Sequence, residues 1–155
     1  MKKGFTLIEL LVTISIIGIL STLLIANFNS TRQRARDAQR KSDLRNIQTA
    51  LRLYYNDCGK YPTDSGDIDV VGCGTCAVPV VCDWDGETSF ATDDQIYMNI
   101  LPQDPQYDEA TGENPYTYES SDDETYVLSA CLENKSDDKC GIDCGDDGCA
   151  YSVSP

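Results

Sequence analysis

"FTLIELLVTISIIGILSTLLIANFNST", residues 5–31, holds one charged side chain, Glu9, and runs into "RQRARDAQRKSDLRNIQTALRLYYN", residues 32–56. From Leu10 to Thr31 nothing is charged, a length that suffices for a membrane helix of about 20 residues. Residues 5–56 contain no proline and one glycine, Gly18, so nothing in the stretch breaks a helix. Further on, Leu44, Ile47, Leu51 and Tyr54 recur at steps of three, four and three, the stripe of an amphipathic helix. Arg32, Arg34, Arg36, Asp37, Arg40, Lys41, Asp43 and Arg45 are assigned to its other faces. Asn56, Asp57, Gly59 and then Pro62 mark the stop. The expectation is one helix of about 50 residues, about 75 Å at 1.5 Å per residue. Its first half is apolar all round, and a head packs on the stripe of its second half.

Glu9 is the anomaly. A carboxylate in a membrane span costs about 2.5 to 3.5 kcal/mol on insertion scales, so it is by default a functional residue. The plainer alternative is a glutamate at the end of an ordinary anchor, reaching to the interface.

Charge divides the chain. Residues 1–60 carry ten basic and four acidic side chains, whereas residues 61–155 carry two lysines and 22 acids, giving −14 in total. The acidic head argues against nucleic-acid binding, which needs cations to displace phosphate counterions. All eight cysteines, Cys58, Cys73, Cys76, Cys82, Cys131, Cys140, Cys144 and Cys149, follow the apolar run. An even set in a small domain beyond a membrane segment predicts disulfides and an oxidising location, with the pairing left open. Zinc would start from Cys73-Gly-Thr-Cys76 but has neither a second close pair nor a histidine.

In the head, residues 61–70 read as loop, and "CAVPVVCDW" as a short strand interrupted by Pro79. Thr92-Asp93-Asp94 is set to cap a short helix through Leu101, closed by Pro102. Tyr116–Glu119 and Thr125–Glu133 read as two strands joined by Ser121-Asp122-Asp123, with Tyr126, Leu128, Ala130 and Leu132 on the core face. The Gly-, Asp- and Cys-rich tail is expected to rely on cross-links rather than burial. With no histidine in the chain, the usual Ser-His or Cys-His base is missing, and no enzyme activity is predicted.

The N-terminus admits a signal peptide, an anchor or a third class. The run is long for a signal peptide, and Leu24-Ile25-Ala26 places leucine where cleavage wants a small residue. As a plain anchor, Arg32, Arg34, Arg36, Arg40 and Lys41 would pull the downstream side into the cytoplasm, while the cysteines ask for the opposite side. "KKGFTLIELL" resembles the leader of type IV pilins and type II secretion pseudopilins. That resemblance implies cleavage by a prepilin peptidase after Gly4, N-methylation of Phe5, and a register-setting role for Glu9 against a neighbour's terminal amine. Beyond the leader, "RKSDLRNIQTALRLYYNDCGKYPT", "LPQDP" and "NPYTYES" are similar to the major pseudopilins. Ala26 stands where many relatives have a proline.

The resemblance implies an α+β fold, a long N-terminal helix packed on a small antiparallel head sheet with disulfide-rich loops. Residues 1–4 would be the leader, 5–28 the transmembrane and assembly helix, 29–57 the amphipathic stem and 58–155 the Cys-rich head. The function implied is a filament subunit of the type II secretion pseudopilus, with the peptidase, an inner-membrane assembly platform and minor pseudopilins as partners. Its N-terminus would be cytoplasmic and its head outside. A type IV pilus subunit is the alternative in the family, and a membrane-anchored disulfide-rich binding module the alternative outside it. The major pseudopilins bind calcium in the head, which points to Asp122 and Asp123; the plain reading there is a charged turn.

Overall fold

The computed structural model describes residues 4–64, 70–77, 79–82, 87–107, 116–134, 142–144 and 149–155. Within these, the side chains of 23–27, 64, 70–72, 79–81, 121 and 142–143 lie outside the description. Two compact units divide the chain, Met1–Ala35 and Arg36–Pro155.

Helix α1 runs from Leu7 to Cys58 without a break. It ends because Gly59 takes φ +71°, a left-handed turn that suits a residue with no Cβ, and its N–H bonds Tyr55 O at 2.8 Å. Among the described residues nine strands follow: β1 Thr63–Asp64, β2 Val70–Gly74, β3 Pro79–Cys82, β4 Phe90–Ala91, β5 Ile96–Met98, β6 Tyr116–Asp122, β7 Thr125–Leu132, β8 Ile142–Asp143 and β9 Cys149–Val153. They form antiparallel sheets ordered β1-β2-β3, β4-β5 and β6-β7-β9-β8.

In the second unit the expected stripe is the core face of the helix. Leu44, Ile47, Leu51 and Tyr54 are at most 1% exposed and meet Tyr116, Tyr118, Tyr126, Leu128, Ala130 and Leu132 from β6 and β7. Alternation on β7 buries every second residue, as the sequence predicts. Each large apolar side chain so buried contributes about 1.5 to 3 kcal/mol.

Three expectations are corrected. Thr92–Asp94 caps no helix: Thr92 and Gln95 exchange backbone hydrogen bonds of 2.8 and 3.3 Å, so Asp93 and Asp94 form the tip of the β4–β5 hairpin. Phe90 from that hairpin is buried beside the rings of Tyr54 and Tyr97. The tail is not held by cross-links alone, since β9 joins the main sheet and buries Cys149 and Tyr151. The charges assigned to outer faces of the stem include Asp37 and Arg40, which are 4% and 2% exposed.

Candidate functional site

Gly4 and Phe5 precede the helix in non-helical backbone, and Phe5 is 82% exposed. Thr6 then caps α1. Its N–H and its hydroxyl both reach Glu9 Oε2, at 2.8 and 2.6 Å, and the Glu9 N–H returns to Thr6 Oγ1 at 3.4 Å. This reciprocal capping box satisfies donors that a helix start leaves unpaired. It gives the glutamate a local role that sequence reasoning missed, although the Thr6-Leu7-Ile8-Glu9 spacing was its signal.

After this cap the helix presents apolar side chains to its surroundings. Leu7, Ile8, Ile17 and Ile19 are 61–80% exposed. The polar exceptions hide their hydroxyls: Thr13, Ser15 and Thr22 each donate to a carbonyl one turn back, at 2.8 Å. Such a surface has no stable place in water and calls for lipid or other helices around it. The expected span 5–28 includes residues 23–27, whose side chains lie outside the description. Among the described residues no helix is long and apolar enough to cross a membrane.

In the second unit a charged cluster fixes two loops to the stem. Arg40 Nε and Nη2 form a fork on Asp104, at 2.5 and 3.1 Å, and Nη1 reaches Asp37 at 2.9 Å and Glu133 at 3.0 Å. Arg36 adds a two-pronged bond to the same Glu133. Asp37 accepts the N–H groups of Glu133 and Asn134, each at 2.9 Å, and Gln106 takes the last prong of Arg40 at 3.0 Å. Burial alone would disfavour the Arg40 charge, but its bonds and charge pairing with Asp104, Asp37 and Glu133 outweigh it and raise its pKa. The hydrogen bond from Arg36, with the charge of Arg40 behind it, holds the Glu133 carboxyl below its ordinary range. One turn on, the buried Tyr116 hydroxyl donates to Asp43 at 2.9 Å; burial raises the Asp43 pKa against that bond.

The described cysteines are joined as disulfides, not arranged for zinc. Cys58 pairs with Cys76, Cys73 with Cys82 and Cys131 with Cys144, at Cα separations of 5.3, 5.5 and 5.8 Å, within the usual range. Cys149 is also disulfide-bonded, and Cys140 lies outside the described residues. The Cys73-Gly-Thr-Cys76 pair thus serves two different partners.

Asp122 and Asp123, the candidate calcium position, sit at the β6–β7 turn. Asp122 Oδ1 accepts from Thr125 Oγ1, Glu124 N and Thr125 N at 2.6–3.0 Å, bonds that hold its carboxyl below the usual range. The carbonyl of Asp123 takes the Tyr61 N–H. Among the described residues no three His, Cys, Asp or Glu side chains are grouped to hold a metal. The acids here build a turn.

A family model described as the prokaryotic N-terminal methylation motif matches residues 1–25. The chain is 33% identical over 104 residues to the type II secretion system core protein G of Aeromonas hydrophila, covering 67% of each chain. It is 31% identical over 104 residues to the core protein G of Klebsiella michiganensis, covering 67% of this chain and 68% of that one. It is also 33% identical over 67 residues to the type IV major pilin protein PilA of Myxococcus xanthus, covering 43% of this chain and 30% of the pilin. No solved structure matches it.

Proposed function

The chain belongs to the family of the type II secretion system core protein G, and on that premise we propose how it works as a pseudopilin. A prepilin peptidase cuts between Gly4 and Phe5, and Phe5 is N-methylated. Residues 1–4 are then the leader, 5–28 the membrane and assembly helix, 29–57 the stem and 58–155 the head. Before assembly the helix sits in the inner membrane with its N-terminus cytoplasmic and the head outside, where disulfides persist. An assembly platform and minor pseudopilins start and extend the filament, which acts in protein secretion. The role is structural; a chain without histidine lacks the usual Ser-His or Cys-His base.

The observation that carries this reading is Glu9 in the first turn of an exposed apolar helix. Cleavage would leave a cationic amine on Phe5, three bonds of chain from the Thr6 cap. A neighbour's amine offsets the cost of the buried carboxylate only in the correct register, and a misplaced subunit leaves two charges unpaired at several kcal/mol. In the free subunit the Thr6 donors serve Glu9 meanwhile.

Glu9→Leu in cells carrying the secretion system tests it. Membrane insertion and cleavage after Gly4 are expected to continue, while filament formation and secretion are lost. Normal filaments and secretion from this variant would contradict the assembly role. The likeness to a type IV pilin over 67 residues favours a second reading, a pilus subunit. In that case deleting the gene abolishes surface filaments and leaves secretion intact.

A further inference from the structure

Within the unit Arg36–Pro155, helix α1 has a basic stripe on one flank and, on the other, an apolar groove beside a hairpin tipped by Asp93 and Asp94. On the first, Lys41, Arg45 and Arg52 follow at steps of four and seven, which places them within about 40° of one another around the helix. Arg45 and Arg52 are exposed, and neither forms an ion pair among the described residues. This side borders β9: the Lys41 ammonium lies 5.4 Å from the Tyr151 ring centre, and Gln48 donates to Ser154 O at 2.7 Å. Tyr55, three residues past Arg52, is 38% exposed.

On the other flank, Asn46, Met98, Asn99, Ile100 and Pro102 line an open groove of about 370 Å³. Ile96 and Ile100 are each 56% exposed, side by side with the groove and its edge. Asp93 and Asp94, both exposed, lie at the tip of the hairpin that carries Ile96 and the half-buried Met98. Asn46 is one residue, about 100° of helix, from Arg45, so the basic stripe and the groove open in different directions from one compact unit. They cannot meet within one molecule.

We propose that these flanks are the two halves of one repeating contact, in which Arg45 and Arg52 of one copy meet Asp93 and Asp94 of the next. The groove lined by Met98, Ile100 and Pro102 then receives the arginine stems and the Tyr55 ring. The occupant is a second copy because the charges match within this chain's own surface. Copies of a chain whose full sequence carries −14, and whose cleavage would remove two lysines more, repel when packed together, and setting basic stripe on acidic hairpin removes repulsion where they touch. Arginine and tyrosine are the side chains that most often anchor interfaces. A contact between two unlike patches is heterologous, and where its rotation does not close a ring it propagates as an open helix. The proposal therefore rests on the filament reading and adds its lateral interface.

The test expresses the full-length chain with its own assembly system and measures the fraction recovered in sheared filaments. Three variants are compared with wild type: Arg45→Glu with Arg52→Glu, Asp93→Lys with Asp94→Lys, and the chain carrying all four changes. Each reversed pair is expected to lower the assembled fraction about tenfold or more, since opposed like charges cost several kcal/mol. The fourfold exchange restores attraction and should recover most of the loss. Wild-type filament levels from either reversed pair would overturn the contact. So would an exchanged chain that keeps the wild-type melting temperature yet stays unassembled while wild type assembles. A wild type that forms no filament would instead overturn the filament reading itself.

Discussion

Arg40 shows how one residue is misread when only apolar spacing is followed. Asp37 and Arg40 extend the stripe backwards: 37, 40, 44, 47, 51 and 54 step by three and four throughout. The first two positions are charged, so a search for hydrophobic periodicity stops at Leu44. Their partners, Asp104 and Glu133, are 64 and 93 residues away from Arg40, and no local spacing reveals such a pairing. The "LPQDP" stretch was legible as a likeness; that its Asp104 receives Arg40 was not. Arg40→Met should destabilise the second unit by about 3 to 5 kcal/mol, because Asp37 and Asp104 stay buried without their cation. Denaturant titration of the detergent-extracted chain measures this, and an unchanged midpoint would show that the cluster is replaceable. The cluster also sets a pH dependence. Glu133 titrates below its ordinary value of 4.5 in the folded chain, so its stabilisation is present above that pH and is lost as pH falls through the lowered value. Asp43 is raised and works the other way, costing stability as pH rises and relieving part of the acid loss. Acid unfolding followed by circular dichroism should therefore be flatter below pH 4.5 in Glu133→Gln; a profile as steep as wild type would remove Glu133 as its source.

At the scale of elements, the long helix and the β6–β7 hairpin were legible, because each repeats its pattern over several turns or pairs. The segments that were misread, the β4–β5 hairpin and β9, have two to five residues each. Periodicity has little to act on there, and their identity comes from what covers them: Phe90 against Tyr54, and β9 against β7. The number of cysteines predicted cross-links but not partners. Cys58–Cys76 ties the end of α1 to the segment after β2, and Cys73–Cys82 joins β2 to β3. These short strands have few residues to bury, so the bridges carry a large share of their stability, about 2 to 5 kcal/mol for each native disulfide in a small domain. Reduction with a thiol reagent should expose the thiols and lower the thermal midpoint sharply. A reduced chain that melts at the oxidised temperature would contradict this.

Across the whole molecule, the sequence separates an apolar, then basic, helix from an acidic, cross-linked head, and each part suits a different surrounding. The helix start is where they become one function, for Gly4, Phe5, Thr6 and Glu9 join the proposed cleavage junction to a capped helix with a carboxylate in its first turn. The Thr6 cap was open to reading from its spacing with Glu9; the two exposed flanks were not, because folding alone sets the hairpin of Asp93 and Ile96 beside the helix that carries Arg45. The central claim is that the working form is the processed, assembled chain. Mass spectrometry of the N-terminal peptide from sheared, purified filaments tests it most directly. The account predicts a chain that begins at N-methylated Phe5, and assembled chains that still begin at Met1 would contradict it.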